Sequence, residues 1–427
     1  MLVREWIEKL KRGALDGELT AAYGSAAEPG ARYLSLLEEY ERRFGTGEAE
    51  LVSAPGRTEL AGNHTDHQNG IVLCAAVAMD TLAVSSPAPD GKVTLFSWGF
   101  GEIGVDLADL APRRSEYGGS AGIVRGVAAG MTKRGYAVGG LRGVMDSRVP
   151  AGGGLSSSAA FEVLLGALFS RFYNADAVDP MTLAIIGQGS ERDYFGKPSG
   201  LMDQAASACG GITMIDFADP AAPAVERICF DFRSAGYVLC AVDTRTSHAD
   251  LTDDYAAIPR EMKDVAAFFG KDALRYVNQD ALDDPDTLAR LEQRVSPRAI
   301  RRAKHFFAEN ARVPRMAEAL KAGRVDEYIQ LMNESGRSSR ELLQNVVPSL
   351  HPEKTEMAEA LDLAGSLLEG RGAWRVHGGG FAGCIQCLVP EADYGDFVRA
   401  MEAHYGRGAC FELRVRPWGV HAAGQGL

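Results

Sequence analysis

Three stretches of the chain concentrate side chains that could do chemistry. In the first, Val149 to Ala160, three glycines (Gly152, Gly153 and Gly154) pass through Leu155 into three serines (Ser156, Ser157 and Ser158). Glycines let a backbone approach an anion closely, and serine hydroxyls can bind phosphate oxygens or a metal ion. Leu141 to Val149 before it reads as a strand, and Ala159 to Phe172 after it as a buried helix. Strand, glycine loop and helix N-terminus together aim N–H groups at a phosphate. A flexible linker is the plainer reading, but apolar segments press on the loop from both sides. The loop has no Gly-Lys-Ser/Thr ending and no Gly-x-Gly-x-x-Gly, so it is neither a Walker loop nor the dinucleotide fingerprint.

The second stretch, Pro55 to Gly70, packs Arg57, Glu59, Asn63, His64, Asp66 and His67 into one polar run after a short strand. Hydrogen bonding to hydroxyl groups suits this set better than metal binding, because His64, Asp66 and His67 lack an evident fourth ligand. The third, Leu201 to Cys209, sets the carboxylate Asp203 among apolar residues. An unpaired charge there would be costly, and a guanidinium such as Arg57 would keep it ionised. Asp203 could then accept the proton of a reacting hydroxyl while Arg57 neutralises a phosphoryl group. The plainer roles are a helix cap for Asp203, a surface arginine for Arg57, a helix cap for Ser158 and a solvated helix face for Glu191. His248 and His377 read as structural or supporting.

Elements that could position these groups follow in order. Residues 1–50 read as helical, and short strands follow at 49–54, 71–77, 81–85 and 93–96, with 98–120 irregular. Helices are expected over 123–131, 159–172, 181–194 and 201–209, and a strand over 212–215. After a hinge at Asp219-Pro220 come a strand at 237–244 and a mainly helical region over 254–368. Strands at 374–377, 384–388 and 411–415 close the chain around the run Gly378 to Gly383. This order predicts an α+β fold of two domains, residues 1–215 and 216–427, with the site between them.

Bulk properties narrow the function. The chain has 427 residues, 46% hydrophobic and 24% charged, as in ordinary globular proteins. Its net charge of −12 argues against nucleic acid or anionic membranes as partners. Seven cysteines, an odd number, make no disulfide framework. Cys384 and Cys387 are three apart on an expected strand, so they point to opposite faces and do not share a metal. The N-terminus lacks the apolar core of a secretion signal, and Asp80 breaks the longest apolar run. A cytoplasmic protein with reduced thiols is expected.

Together the three stretches resemble a known family. Residues 150–159 resemble the phosphate loop of the GHMP kinase superfamily, which includes galactokinases, homoserine kinases and mevalonate kinases. Gly378 to Gly383 resembles its C-terminal glycine motif. Residues 56–70 look like the galactokinase signature, and Gly200 to Gln204, Thr246 to Tyr255 and Leu331 to Ser335 are similar to galactokinase as well. The resemblance covers the chain from roughly residue 30 onward. It implies a two-domain fold with the site in the cleft, and ATP- and Mg²⁺-dependent phosphorylation of galactose or a related hexose at its anomeric hydroxyl. It implies Asp203 and Arg57 as the catalytic pair, Ser158 and Glu191 as Mg²⁺ ligands, and residues 152–158 as the ATP loop. Glu59, Asn63, His64, Asp66, Gly200 and Tyr255 would line the sugar pocket.

The signature also departs from the family. Galactokinases usually carry Asn where this chain has Glu59, Glu where it has Asn63, and Tyr where it has His67. That glutamate contacts the hydroxyl on carbon six. Its replacement by Asn63 removes a negative charge, a relief of about 4 kcal/mol for a carboxylate at ~4 Å and an effective dielectric of ~20. Galacturonate is therefore a rival acceptor. The family's Trp before Ile123 is absent, and Ala382 replaces a glycine. A sugar sensor without catalysis is the rival from another class, opposed by the intact serines, Asp203 and Arg57.

Overall fold

A computed structural model describes residues 1–150, 154–246 and 251–425. Three helices, Val3–Lys11, Asp16–Tyr23 and Ala27–Phe44, lead into β1 (Glu50–Ala61). Strands β2 (Ile71–Ala88), β3 (Lys92–Ser97), β4 (Gly101–Asp106), β5 (Gly140–Ser147), β6 (Ile212–Asp216) and β7 (Ala224–Ile228) follow. The second half contributes β8 (Tyr237–Asp243), β9 (Ala373–Val376), β10 (Cys384–Pro390), β11 (Cys410–Glu412) and β12 (His421–Ala422).

The strands make two sheets. An eight-stranded sheet runs β12-β1-β2-β5-β3-β4, with β6 pairing β2 and β7 pairing β6. A four-stranded sheet runs β11-β8-β10-β9. The expected strands at 71–77 and 81–85 are one long strand, because Asp80 does not interrupt pairing: Pro55 opposes Asp80 and Ala54 opposes Thr81. Four elements escaped the sequence reading: β4, β7, the two-residue β12 and the helix Tyr394–Tyr405. β4 and β7 are edge strands with mostly exposed side chains, and the helix Tyr394–Tyr405 buries only Phe397 and Met401 fully. Such short or weakly apolar segments carry little periodic signal.

Helices pack on both sheets and join them. The helix Ser157–Tyr173 is buried nearly all round, as its apolar run predicts. The next helix starts where Asp179 accepts a hydrogen bond from Thr182 N at 3.0 Å, with Pro180 at its first position. One core is common to both sheets. Leu60, Leu73 and Ile212 of the first meet Leu239, Ala241 and Leu388 of the second, sealed by Val313, Met316 and Leu320 of the helix Pro297–Lys321. Cys384 packs in that core and Cys387 in another, on the opposite face of β10.

Asp80 anchors the ends of the chain. Fully buried, it accepts from Arg32 Nη1 at 2.5 Å, Arg416 Nη1 at 3.0 Å and Tyr23 Oη at 2.5 Å. Burial pushes its carboxyl upward, but Arg32 and Arg416 outweigh burial and hold it below the usual range. The central strand is thereby bound to the N-terminal helices and the C-terminal segment. Asp80→Leu, which strands two buried guanidiniums, is expected to cost about 3–5 kcal/mol in urea unfolding. A loss below about 1 kcal/mol would show that the three groups relax to water instead.

Candidate functional site

The site is built where β1 touches the glycine loop. β1 runs through Pro55 and Gly56, and its register with β2 shifts at Pro55/Arg57 and again at Glu59/Ala61. Such bulges re-aim side chains, here Arg57 and Glu59. Gly56 permits the contact: a methyl there would lie 2.9 Å from the Leu155 carbonyl and 3.0 Å from Val149. Arg57 N donates to that same carbonyl at 3.1 Å.

Arg57 then links three elements. Its Nε donates to Asp203 Oδ1 at 2.7 Å, and its Nη1 donates to the Gly154 carbonyl. Asp203 stands in the first turn of the helix Met202–Cys209 and caps nothing. Burial alone would raise its carboxyl; Arg57 and then Lys197 outweigh burial and hold it at about 2. Arg57 is itself buried rather than a surface residue.

A cleft of 540 Å³ opens beside this pair. Its walls include Arg57, Glu59, Asn63, His64, Asp66, Gly154, Ser156, Ser157, Ser158, Gly200, Asp203 and Tyr255, brought together from distant parts of the chain. Gly152, Gly153 and His248 lie outside the described residues. Leu155 turns its side chain into the shared core and offers the loop only its backbone. Ser156, at φ 59°, occupies the position before the helix, and Ser157 begins the helix. Glu191 is fully buried behind the cleft, in a five-residue π-helical turn, and not on a solvated face. Its Oε1 accepts from Ser158 Oγ at 2.8 Å and from Lys197 Nζ at 2.9 Å, and its Oε2 from Gln204 at 2.9 Å.

The sugar-signature residues divide into two groups. Asp66 faces the cleft against Gly200, where any side chain would collide with its carboxylate: a methyl would come within 1.6 Å. His64 donates from Nε2 to the Gly379 carbonyl at 3.0 Å. Burial, then His67, lowers its pKa to about 3, so the ring is neutral at ordinary pH. Tyr255 donates to the Gly380 carbonyl at 2.6 Å and lays its ring on Gly379.

Glu59 and Asn63 are engaged by the protein itself. Asn63 Nδ2 donates to Glu59 Oε1 at 2.9 Å and to the Gly378 carbonyl at 2.5 Å, while its Oδ1 accepts from Asn345 at 2.7 Å. Glu59 is paired with Arg375 at 2.5 Å, both buried. Asn63 is itself uncharged, and the carboxylate beside it belongs to the Glu59–Arg375 ion pair. The exchange of Glu and Asn keeps a carboxylate within hydrogen-bond distance of position 63 and balances it with Arg375.

Sequence reasoning missed Lys197, Arg375, Glu162 and Gln204. Lys197 follows Gly196, which adopts φ +84° after the π-helical turn, and the Gly-Lys-Pro sequence was its only signal. Glu162 lies one turn beyond Ser158 on a buried face. Its carboxyl is pushed well upward by burial and by Glu191, and Gln204 bridges it to Glu191.

Known proteins share this fold. Residues 122–211 match the GHMP kinases N terminal domain family, and residues 38–87 match the galactokinase galactose-binding signature. The chain has a GHMP-kinase fold with a galactokinase-type sugar-binding signature. The fold is similar to that of Lactococcus lactis galactokinase, solved with galactose, at TM-score 0.76 and 24% identity over 90% of this chain and 98% of that one. It is also similar to Methanococcus jannaschii mevalonate kinase, at TM-score 0.60 and 15% identity over 86% of this chain and 99% of that one. The D-glycero-D-manno-heptose 1-phosphate kinase of Bacteroides thetaiotaomicron aligns at TM-score 0.59 and 16% identity, covering 87% of this chain and 98% of that one. The cleft is lined by segments 57–67, 154–158 and 197–203 on the N-terminal side of the chain and by 252–259 and 377–384 on the C-terminal side. No helix among the described residues is long and apolar enough to cross a membrane.

The Arg57–Asp203 pair has a direct readout. A carboxyl held at about 2, against about 3.9 when free, adds stability that is fully present above about pH 5 and lost as pH falls through 2. Carbon-13 NMR of the Asp203 carboxyl should titrate near 2 in the parent. In Arg57→Met the midpoint should rise, because burial is then opposed mainly by Lys197. An unmoved midpoint would assign the shift to other groups.

Proposed function

We propose that the protein is an ATP- and Mg²⁺-dependent sugar 1-kinase that phosphorylates the anomeric hydroxyl of galactose or a related hexose. What carries this reading is the convergence of Arg57, Asp203 and Gly154 beside the sugar-signature residues in one cleft. His64, Asp66 and Gly200 meet the sugar in this reading, and Tyr255 shapes its wall. Glu59 and Asn63 act from behind, holding the signature loop in place.

In the transfer, the anomeric oxygen attacks the terminal phosphorus as the bond from that phosphorus to the bridging oxygen of ADP breaks. The hydroxyl proton passes to Asp203, leaving sugar 1-phosphate and ADP. A carboxylate held at about 2 is a weak base. Its work is to orient the hydroxyl by accepting its hydrogen bond and to take the proton late, as suits a loose phosphoryl transition state. Arg57 and Lys197 supply positive charge beside the transferring group.

The residues present fit a Mg²⁺ ion. Ser158 Oγ and Glu191 Oε1 lie 2.8 Å apart. Adjacent oxygens around octahedral Mg²⁺ at ~2.1 Å are separated by about 3.0 Å, and Mg²⁺ commonly takes one or two protein ligands plus phosphates. The bound ion would neutralise charge on the terminal phosphates.

A panel of galactose, galacturonate, glucose, N-acetylgalactosamine, homoserine and mevalonate with coupled ADP detection tests the proposal. ADP release is expected with galactose or a related sugar, with a sugar 1-phosphate seen by phosphorus-31 NMR. Asp203→Asn should lower turnover by about 10²–10⁴ with the fold intact. Turnover of galacturonate alone would move the acceptor to a uronic acid. Release with homoserine or mevalonate only would refute sugar specificity, and sugar binding without ADP release from any acceptor would indicate a sensor.

A further inference from the structure

Three buried polar atoms of cleft-lining residues, Ser156 Oγ, Ser199 Oγ and His377 Nδ1, have no hydrogen-bond partner among the described residues. His377 is 2% exposed, and its Nδ1 has no hydrogen bond among the described residues. That atom faces the glycine loop: a methyl on Gly154 would approach it to 2.9 Å. Native proteins seldom leave a buried polar atom unpaired, and such an atom in a cleft is completed by what binds there.

The other nitrogen of His377 is engaged. Gln386 Nε2 donates to Thr58 Oγ1 at 2.5 Å, and Thr58 Oγ1 lies 2.9 Å from His377 Nε2. Thr58 Oγ1 keeps its one proton while accepting from Gln386, and when it gives that proton to Nε2 the ring's own proton stands on Nδ1. Burial, Arg57 and Arg375 lower the imidazole pKa to about 3, so the ring stays neutral through the physiological range.

We propose that His377 is a nucleotide-recognising residue whose neutral Nδ1–H donates to an oxygen of the terminal phosphate seated against Gly154. The proposal rests on the kinase reading above and adds a contact to it. The terminal phosphate is the indicated acceptor because Arg57 binds both the Gly154 carbonyl and Asp203, so Nδ1 lies on the loop side of the transfer point. A neutral donor adds a directed hydrogen bond there without further charge, next to the cations Arg57 and Lys197 already supply. It also leaves phosphate recognition insensitive to pH near neutrality.

The unsubstituted protein provides the first test. Nitrogen-15 NMR of labelled histidine at neutral pH should show the Nδ1-protonated tautomer, and β,γ-imido-ATP should shift that signal more than ADP does. Calorimetry with the same nucleotides and Mg²⁺ provides the second. His377→Ala should weaken β,γ-imido-ATP at least about tenfold while ADP changes less than about twofold. His377→Asn, whose amide nitrogen can take the place of Nδ1, should recover most of the loss. An Nε2-protonated ring, unchanged binding, or equal losses for both nucleotides would overturn the role of His377 alone. Failure of the unsubstituted protein to bind either nucleotide would overturn the kinase reading and this contact with it.

Discussion

Arg57 is the residue through which the site is assembled. Its backbone N–H holds the Leu155 carbonyl, its Nη1 holds Gly154, and its Nε holds Asp203. The side chain is buried, and a guanidinium removed from water must find acceptors for its fork of donors. It finds them on the glycine loop and on the helix that carries Asp203. One cation thus fixes the distance between the glycine loop and the Asp203 carboxylate.

A buried polar seam behind Arg57 does the complementary work of fixing the two halves against each other. Thr58 meets His377 and Gln386, Glu59 meets Arg375, and Asn63 meets Gly378 and Asn345. His305 Nε2 binds the Asn63 carbonyl at 3.0 Å, and Gly62 N binds Glu309 at 3.1 Å. Each of these bonds runs from β1 or the loop after it to the C-terminal half. Desolvated hydrogen bonds are directional where apolar contacts are not. The shared apolar core beside the seam supplies cohesion, and the seam sets the register in which the halves meet. The exchange of Glu and Asn between positions 59 and 63 belongs to this seam, since the carboxylate is still there and is answered by Arg375.

The sequence reading recovered the long elements because their signals are local. The apolar run of 159–172 became the helix Ser157–Tyr173, and the alternating segments became strands. It missed β4 and β7, whose side chains are mostly exposed, the two-residue β12 and the helix Tyr394–Tyr405. It divided β2 at Asp80, because a lone charge in an apolar run looks like an interruption. The charge is tolerated only because Arg32 and Arg416, from opposite ends of the chain, enclose it. No local window contains all three.

The amino-acid sequence by itself determined which chemical groups are present, the glycines that allow close backbone approach, and the turns and helices that present them. Those properties depend on neighbours a few residues away. Only the tertiary structure decided that Arg57 meets Asp203 across 146 positions, that Lys197 answers Glu191, and that His377 has one nitrogen engaged and the other buried without a partner beside Gly154. The charge state and proton position of a buried side chain are set by every dipole and charge around it, and that environment exists only once the chain has closed on itself.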